Sequence, residues 1–104
     1  HYAPRARVVA VTPSDAAERI AALIAQHPTE RIAVLAPRSL DLAAGIERID
    51  VPDDDTERAR TLYASLRSID ERGATLAIIV LPADERGLGL AIADRVRRAA
   101  GPRD

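Results

Sequence analysis

Cysteine, methionine, tryptophan and phenylalanine are all absent from this chain of 104 residues. Without cysteine there is no disulfide framework, no thiolate nucleophile and no cysteine zinc site. The only aromatic residues are Tyr2 and Tyr63, too few for the stacking surfaces that bind single-stranded nucleic acid. The longest apolar run is far shorter than the roughly 20 residues of a membrane helix, and the net charge is -1. We therefore expect a cytoplasmic protein with no membrane partner and no direct nucleic-acid signal.

Lysine is also absent, since all 15 basic residues are arginine. A Walker-type phosphate loop and a Schiff-base mechanism both need lysine, so neither operates within this chain. No start methionine is present and the chain opens on an extended segment, which predicts a domain from a longer polypeptide. We expect the end of an interdomain linker at residues 1–6 and one α/β domain at 7–101, long enough for a single core.

The last third of the chain carries the clearest structural pattern. Residues Thr75–Pro82 form an uninterrupted apolar run that predicts a strand covered on both faces. A loop with two glycines follows, and then a helix with its buried face at helical spacing. The predicted members of that face are Leu88, Ile92, Val96 and Ala99.

The preceding part of the chain repeats this strand–helix plan. Ser14 or Asp15 is expected to cap the first helix, and Asp15 with Glu18 forms a weak capping box. Ser39–Ala44 suggests one helical turn that ends at Gly45. The remaining predicted elements are strands at Arg7–Val11, Arg31–Ala36 and Ile46–Val51, a helix from about Asp15 to His27, and a helix at Thr56–Arg72.

This alternation predicts a small Rossmann-like three-layer α/β/α sandwich with a mostly parallel four-stranded sheet. With right-handed crossovers the simplest strand order is 3-2-1-4. The connection between the second and third strands is short for a parallel crossover. An antiparallel third strand therefore stays open as an alternative.

The carboxyl ends of parallel strands are where such folds bind ligands, and helix starts there can bind phosphate. Ordinary caps and turns are the competing interpretation. Gly87-Leu88-Gly89 resembles the start of a dinucleotide fingerprint, but Ile92 occupies the third glycine position, so the signal is weak. The candidate residues of the ligand loops are Ser14, Arg38, Asp84, Arg86, Gly87 and Gly89.

Metal and nucleophile patterns are weaker still. Asp53–Asp55 could hold magnesium, but helix capping and compensation of the helix dipole account for it better. His1 and His27 have no partner at metal-ligand spacing. No catalytic residue and no metal site are therefore predicted.

Both ends of the chain resemble one family. The tetrapeptide His1–Pro4 is similar to the end of the linker motif S-P-G-M-x-Y-R-H-Y-A-P of the two-domain L-threonylcarbamoyladenylate synthases of the Sua5 type. The stretches Tyr63–Leu66 and Gly87–Gly101 resemble that family's closing L-Y-x-x-L-R and G-L-G-x-A-(I/V)-x-(N/D)-R patterns. The upstream part S-P-G-M-x-Y-R of the linker motif is not present here.

The resemblance implies an enzyme that makes threonylcarbamoyl-adenylate from threonine, bicarbonate and ATP with magnesium, for the t6A modification of tRNA. Catalysis would belong to an N-terminal YrdC-like domain of the same polypeptide, which is the implied partner, with other tRNA-modification proteins as further partners. This chain would be the C-terminal domain, without a cofactor and non-catalytic alone. His1 and Tyr2 would lie in a linker near the substrate and nucleotide.

Two alternatives remain beside an accessory or regulatory role. One is a regulatory module that binds ATP or GTP at the strand-end loops. The other is a pure interaction domain that docks on the catalytic domain or on a second copy.

Overall fold

Strands and helices alternate along the chain in the computed structural model, which describes residues 2–101. The elements run in the order β1, α1, β2, β3, α2, α3, β4, α4, with a short 3-10 turn between β1 and α1. Their bounds are β1 Arg7–Val11, the 3-10 turn Pro13–Asp15, α1 Ala16–Gln26, β2 Ile32–Pro37, β3 Arg48–Val51, α2 Asp55–Arg60, α3 Leu62–Glu71, β4 Leu76–Val80 and α4 Leu88–Ala100.

The four strands form one sheet in which every neighbouring pair is parallel, and this confirms the predicted α/β class. The order is β1-β4-β2-β3, so the expected order 3-2-1-4 is wrong. That order would leave β4 at an edge, although all five of its residues are buried. A strand that is apolar throughout gains most at the centre, where both of its faces and both of its edges are covered. β1, with exposed Arg7 at its start, takes the edge instead.

The sheet is covered on both sides, which confirms the three-layer sandwich. Along β4, Ala77 and Ile79 point to the same side as Leu66 of α3 and Val96 of α4. The alternate residues, Ile78 and Val80, pack with Ile20 of α1 on the opposite side. A strand with a period of two residues therefore contributes to two separate cores.

The connection from β2 to β3 contains no helix, so the expected helical turn at Ser39–Ala44 is wrong. Arg48 holds this connection in place by donating to the carbonyl oxygens of Leu40 and Pro37, each at 2.9 Å. Gly45 lies in a turn with φ 87°. The side-chain hydrogen bonds replace a crossover helix, and β3 is parallel to β2 despite the short link.

The helix expected at Thr56–Arg72 is two helices, α2 and α3, separated at Thr61. The Thr61 hydroxyl donates to the carbonyl oxygen of Glu57 at 3.0 Å. Threonine hydroxyls that bond backward in this way compete with the main chain and bend helices. Asp54 caps α2 by accepting from the Glu57 N–H at 3.1 Å, which agrees with the interpretation of Asp53–Asp55 as a helix-capping run.

Two expected details of the other helices are wrong. Asp15 is the N-cap residue of α1, but its side chain does not form the expected capping hydrogen bond, because its carboxylate accepts from the Thr12 hydroxyl at 2.7 Å instead. Leu88 is not on the buried face of α4, since it is 47% exposed. Gly89 occupies the buried position in that first turn.

Within residues 2–101, no helix has the length and apolar character required to cross a membrane.

Candidate functional site

The carboxyl ends of all four strands meet at one edge of the sheet, because the strands are all parallel. A cleft of about 400 Å³ opens there. Proline follows or ends each strand at this edge and supplies much of the wall. The lining residues are Pro13 after β1, Pro37, Ser39 and Leu40 after β2, Asp53, Asp55 and Arg58 after β3, and Val80–Ala83 at the end of β4.

Arg58 is the one buried charged residue of the part of the chain that the structure describes, with 3% of its surface exposed. Its Nη2 donates to the main-chain oxygen of Val80, at the end of the central strand. Its Nε is buried and has no hydrogen-bond partner within residues 2–101. Burial lowers the pKa of the Arg58 guanidinium, and the nearby negative charge of Asp55 opposes that shift.

The two carboxylates of the cleft are held differently. Asp53 accepts from the Ser39 N–H at 3.2 Å and from the Ser39 hydroxyl. The hydroxyl hydrogen bond lowers the pKa of Asp53 below its ordinary value, so the group is ionised at neutral pH. Asp55 reaches toward the amino end of α4, where its Oδ2 lies 2.9 Å from the position of a Cβ on Gly89. A carboxylate is favourable there because the helix dipole is positive at that end.

None of the six candidate residues of the ligand loops belongs to the lining of this cleft. Asp84 and Arg86 pair with each other, with Nε to Oδ1 at 2.9 Å and Nη2 to Oδ2 at 3.0 Å. Arg38 is exposed and its N–H donates to Val51. Ser14 lies in the 3-10 turn before α1, and Gly87 has φ 55° just before α4. Gly89 packs its α-carbon against the main chain of Asp84.

No group of three or more histidine, aspartate or glutamate side chains suited to a metal ion occurs in residues 2–101. The three consecutive aspartates have separate structural roles. Asp54 caps α2, Asp53 binds Ser39, and Asp55 faces α4.

The linker residues make a second polar cluster on α3. The carboxylate of Asp70 accepts from the Tyr2 hydroxyl, from the Arg5 N–H at 3.1 Å and from the Ala6 N–H at 3.4 Å. Partial burial opposes ionisation of Asp70, but these hydrogen bonds outweigh it and lower its pKa. The same contact raises the pKa of Tyr2. His1, the other predicted linker residue, lies outside the described residues.

The residues that organise both clusters were not predicted from the sequence, although a signal existed for each. Arg58 lies four positions before Leu62 and eight before Leu66, at the spacing of their apolar stripe, and a charge at such a position is costly to bury. Asp70 lies at the carboxyl end of α3, where the helix dipole disfavours a carboxylate. Each residue departs from the local rules for its position, and each has a hydrogen bond to a distant part of the chain.

Chemically, the cleft combines a buried cation, two carboxylates, a hydroxyl and an apolar wall. It offers donors and acceptors for binding. Neither a metal centre nor a histidine base lies among its lining residues.

Solved structures with this fold are found among Sua5 proteins. Pyrococcus abyssi Sua5 in complex with L-threonine is 35% identical with a TM-score of 0.76, and 96% of this chain corresponds to 29% of that chain. A P. abyssi Sua5 variant in which a consecutive histidine and tyrosine are replaced by alanine is 29% identical, with a TM-score of 0.78 and coverage of 93% and 28%. The present chain thus spans less than a third of these relatives.

The isolated C-terminal Sua5 domain of a hypothetical Sua5 protein from Pyrococcus horikoshii has the same fold, with a TM-score of 0.70 at 24% identity. Its coverage is 91% of this chain and 93% of that one. A comparison with curated proteins gives no significant match. The family model for the threonylcarbamoyl-AMP synthase C-terminal domain matches residues 1–101. The chain therefore belongs to the family of C-terminal domains of threonylcarbamoyl-AMP synthases.

Proposed function

We propose that this domain is an accessory domain of a threonylcarbamoyl-AMP synthase. It would hold in a fixed position the linker that leads to a catalytic N-terminal domain. The whole enzyme would use threonine, bicarbonate and ATP with magnesium, and its product would serve the t6A modification of tRNA. Family membership supports this assignment. On its own, this domain would be non-catalytic, in keeping with its lack of lysine.

The observation that carries the proposal is the attachment of the linker to α3. The side chain of Tyr2 and the main-chain N–H groups of Arg5 and Ala6 converge on the single carboxylate of Asp70. A carboxylate that accepts several N–H and O–H donors fixes both the path and the direction of a segment. The P. abyssi variant replaces a consecutive histidine and tyrosine, and His1-Tyr2 of this chain is a pair of the same residue types in the same order. Domain and linker would therefore act together on the catalytic cleft.

Turnover of ATP with threonine and bicarbonate tests the proposal. The 104-residue chain should show none, whereas the full-length protein should be active. Asp70→Asn in the full-length protein should reduce kcat/KM because the linker loses its fixed path. Glu71→Gln is the matched control, since it removes the same charge from the neighbouring exposed position. Activity in the isolated chain, or equal activity of both variants and the wild type, would contradict the proposal.

Docking through an apolar surface is a second candidate role. Leu88 and Leu90 of α4 are 47% and 52% exposed, and Tyr63 of α3 is 38% exposed. A groove between these helices is lined by Tyr63, Ala91 and Arg95, with the Arg95 guanidinium carbon 5.9 Å from the centre of the Tyr63 ring. Light scattering of this chain, alone and mixed with the N-terminal domain of the full-length protein, would test docking. Leu90→Ser should weaken any complex that forms.

A further inference from the structure

Arg58 is not accounted for by the packing of the fold. Buried arginine is normally compensated by a carboxylate or by several acceptors, because a buried charge without compensation is costly. Here the guanidinium has one acceptor, Val80 O, while its Nε is buried without a partner among residues 2–101. Asp55 acts on it through space, but no ion pair joins the two side chains in that part of the chain. Arg58 lines the cleft, so a bound group could provide the missing compensation.

The charge of Arg58 favours an anionic group over a neutral carbonyl. Arginine pairs with carboxylates through two parallel N–H···O hydrogen bonds, which a single carbonyl oxygen cannot provide. A neutral acceptor would satisfy the donor but leave the buried positive charge in place. A carboxylate both accepts from the guanidinium and neutralises its charge. Its two oxygens also match the planar fork of the guanidinium.

The remaining polar groups of the cleft restrict what else the ligand carries. Asp53 and Asp55 also line it, and the pKa of Asp53 is lowered, so an incoming dianion such as phosphate would meet negative charge. A ligand that adds an ammonium group would instead be attracted to these carboxylates. The Ser39 hydroxyl lies beside Asp53. Apolar contacts are available from Leu40, Leu81 and the prolines of the wall.

We propose that this cleft binds a small α-amino acid as its zwitterion. The carboxylate of the ligand pairs with Arg58, its ammonium group faces Asp53 and Asp55, and its side chain contacts the apolar wall. The site belongs entirely to this domain. The inference therefore goes beyond the accessory role and does not depend on it.

Calorimetric titration of the 104-residue chain tests the ligand class directly. L-Valine, L-threonine and L-serine serve as zwitterions, acetate and methylammonium as the two halves, and inorganic phosphate as the competing oxyanion. At least one amino acid should bind, and each half should bind about tenfold more weakly or worse, the loss expected when one charged contact is missing. Absence of heat with every amino acid at millimolar concentration overturns the proposal, as does equal or tighter binding of acetate or phosphate.

Variants place the ligand within the cleft. Asp53→Asn keeps an oxygen that accepts from Ser39 but removes the charge, and it should weaken amino-acid binding about tenfold. Asp41→Asn, at an exposed position outside the lining, is the matched control and should bind as the wild type does. Arg58→Lys should also weaken binding. If Arg58→Lys fails to fold, Asp53→Asn and the ligand-induced amide shifts of Ser39 and Ala83 decide the matter. Unchanged binding by Asp53→Asn, or shifts confined to residues outside the cleft, overturns the assignment.

Discussion

The main-chain carbonyl oxygen of Asp84 lies 1.8 Å from the point that a Cβ atom would occupy on Gly89. No side chain can be accommodated at that distance, so the first turn of α4 is packed directly against the preceding loop. The glycine pair at Gly87 and Gly89 therefore has a structural explanation. Gly87 supplies φ 55° before the helix, and Gly89 permits the close contact between main chains.

Gly89→Ala should destabilise the domain by about 3 kcal/mol, because the added methyl group forces α4 away from the loop. Chemical denaturation of the chain, followed by circular dichroism, measures the effect. Gly87→Ala is the informative comparison: a Cβ there meets nothing within 4 Å, so only the unfavourable backbone conformation, φ 55° and ψ -125°, is penalised, at about 2 kcal/mol. A Gly89→Ala protein as stable as Gly87→Ala would contradict the steric explanation.

Asp70→Asn should release the linker residues from α3. The donors from Tyr2, Arg5 and Ala6 now share two carboxylate oxygens, whereas an amide offers only one acceptor oxygen. We expect the free energy of unfolding to fall by about 1 kcal/mol. Trypsin cleavage after Arg5, followed by mass spectrometry, reports release because the adjacent Ala6 N–H donates to Asp70. Glu71→Gln should leave the cleavage rate unchanged. If trypsin also cleaved Glu71→Gln faster, the cause would be the loss of a negative charge near the end of α3 rather than the release of the linker.

The contact between Tyr2 and Asp70 should depend on pH at two extremes. The pKa of Tyr2 is raised from 10.0, so its contribution to stability is present below the unfolded pKa and lost as pH rises through the folded value. The pKa of Asp70 is lowered from 3.8, so its contribution is present above the unfolded pKa and lost as pH falls through the folded value. Between these limits the contact should be insensitive to pH.

The absorbance of tyrosinate in the near ultraviolet measures this titration. The difference between the wild type and Tyr2→Phe isolates Tyr2, and its midpoint should lie above 10.0. In Asp70→Asn the midpoint should fall, because the neighbouring carboxylate charge and its hydrogen bond are gone. A wild-type midpoint at or below the ordinary value would contradict the contact.

Arg48→Met should loosen the connection between β2 and β3. Its guanidinium holds the carbonyl groups of Pro37 and Leu40, and losing these hydrogen bonds should cost about 1–2 kcal/mol. Amide hydrogen exchange at Leu40, whose N–H bonds to Pro37 at 3.0 Å, should accelerate. Arg31→Met is the control, because its ion pair with Glu47 is long at 3.6 Å and exposed. Exchange at the wild-type rate in Arg48→Met would show that the connection does not depend on the Arg48 hydrogen bonds.

The fold class was predictable because apolar runs that end in proline alternate with amphipathic segments. β1 was predicted with its exact bounds at Arg7–Val11. The strand order was not, because the prediction took the simplest arrangement of right-handed crossovers and did not use the apolar character of all five residues of β4. Weighing strand hydrophobicity would have placed β4 at the centre.

The candidate site was predictable as a region but not as residues. Parallel strands direct ligands to their carboxyl ends, and the cleft lies there. Asp84 and Arg86 were predicted as ligand residues because they are charged and lie in a loop. They form an ion pair with each other instead, two positions apart in the sequence. Arg58 was overlooked because the sequence shows a charge at an apolar position of a helix but not its contact with Val80, 22 positions along the chain.

The prolines at the carboxyl edge of the sheet have one further consequence. Pro13, Pro37 and Pro82 line the cleft, and proline has a fixed φ and no N–H to extend a strand. The rim consequently loses little conformational entropy when a ligand binds, because its backbone is already restricted. A ligand with few contacts could therefore bind there, and replacing one of these prolines with alanine should weaken binding by more than the loss of its ring contacts alone.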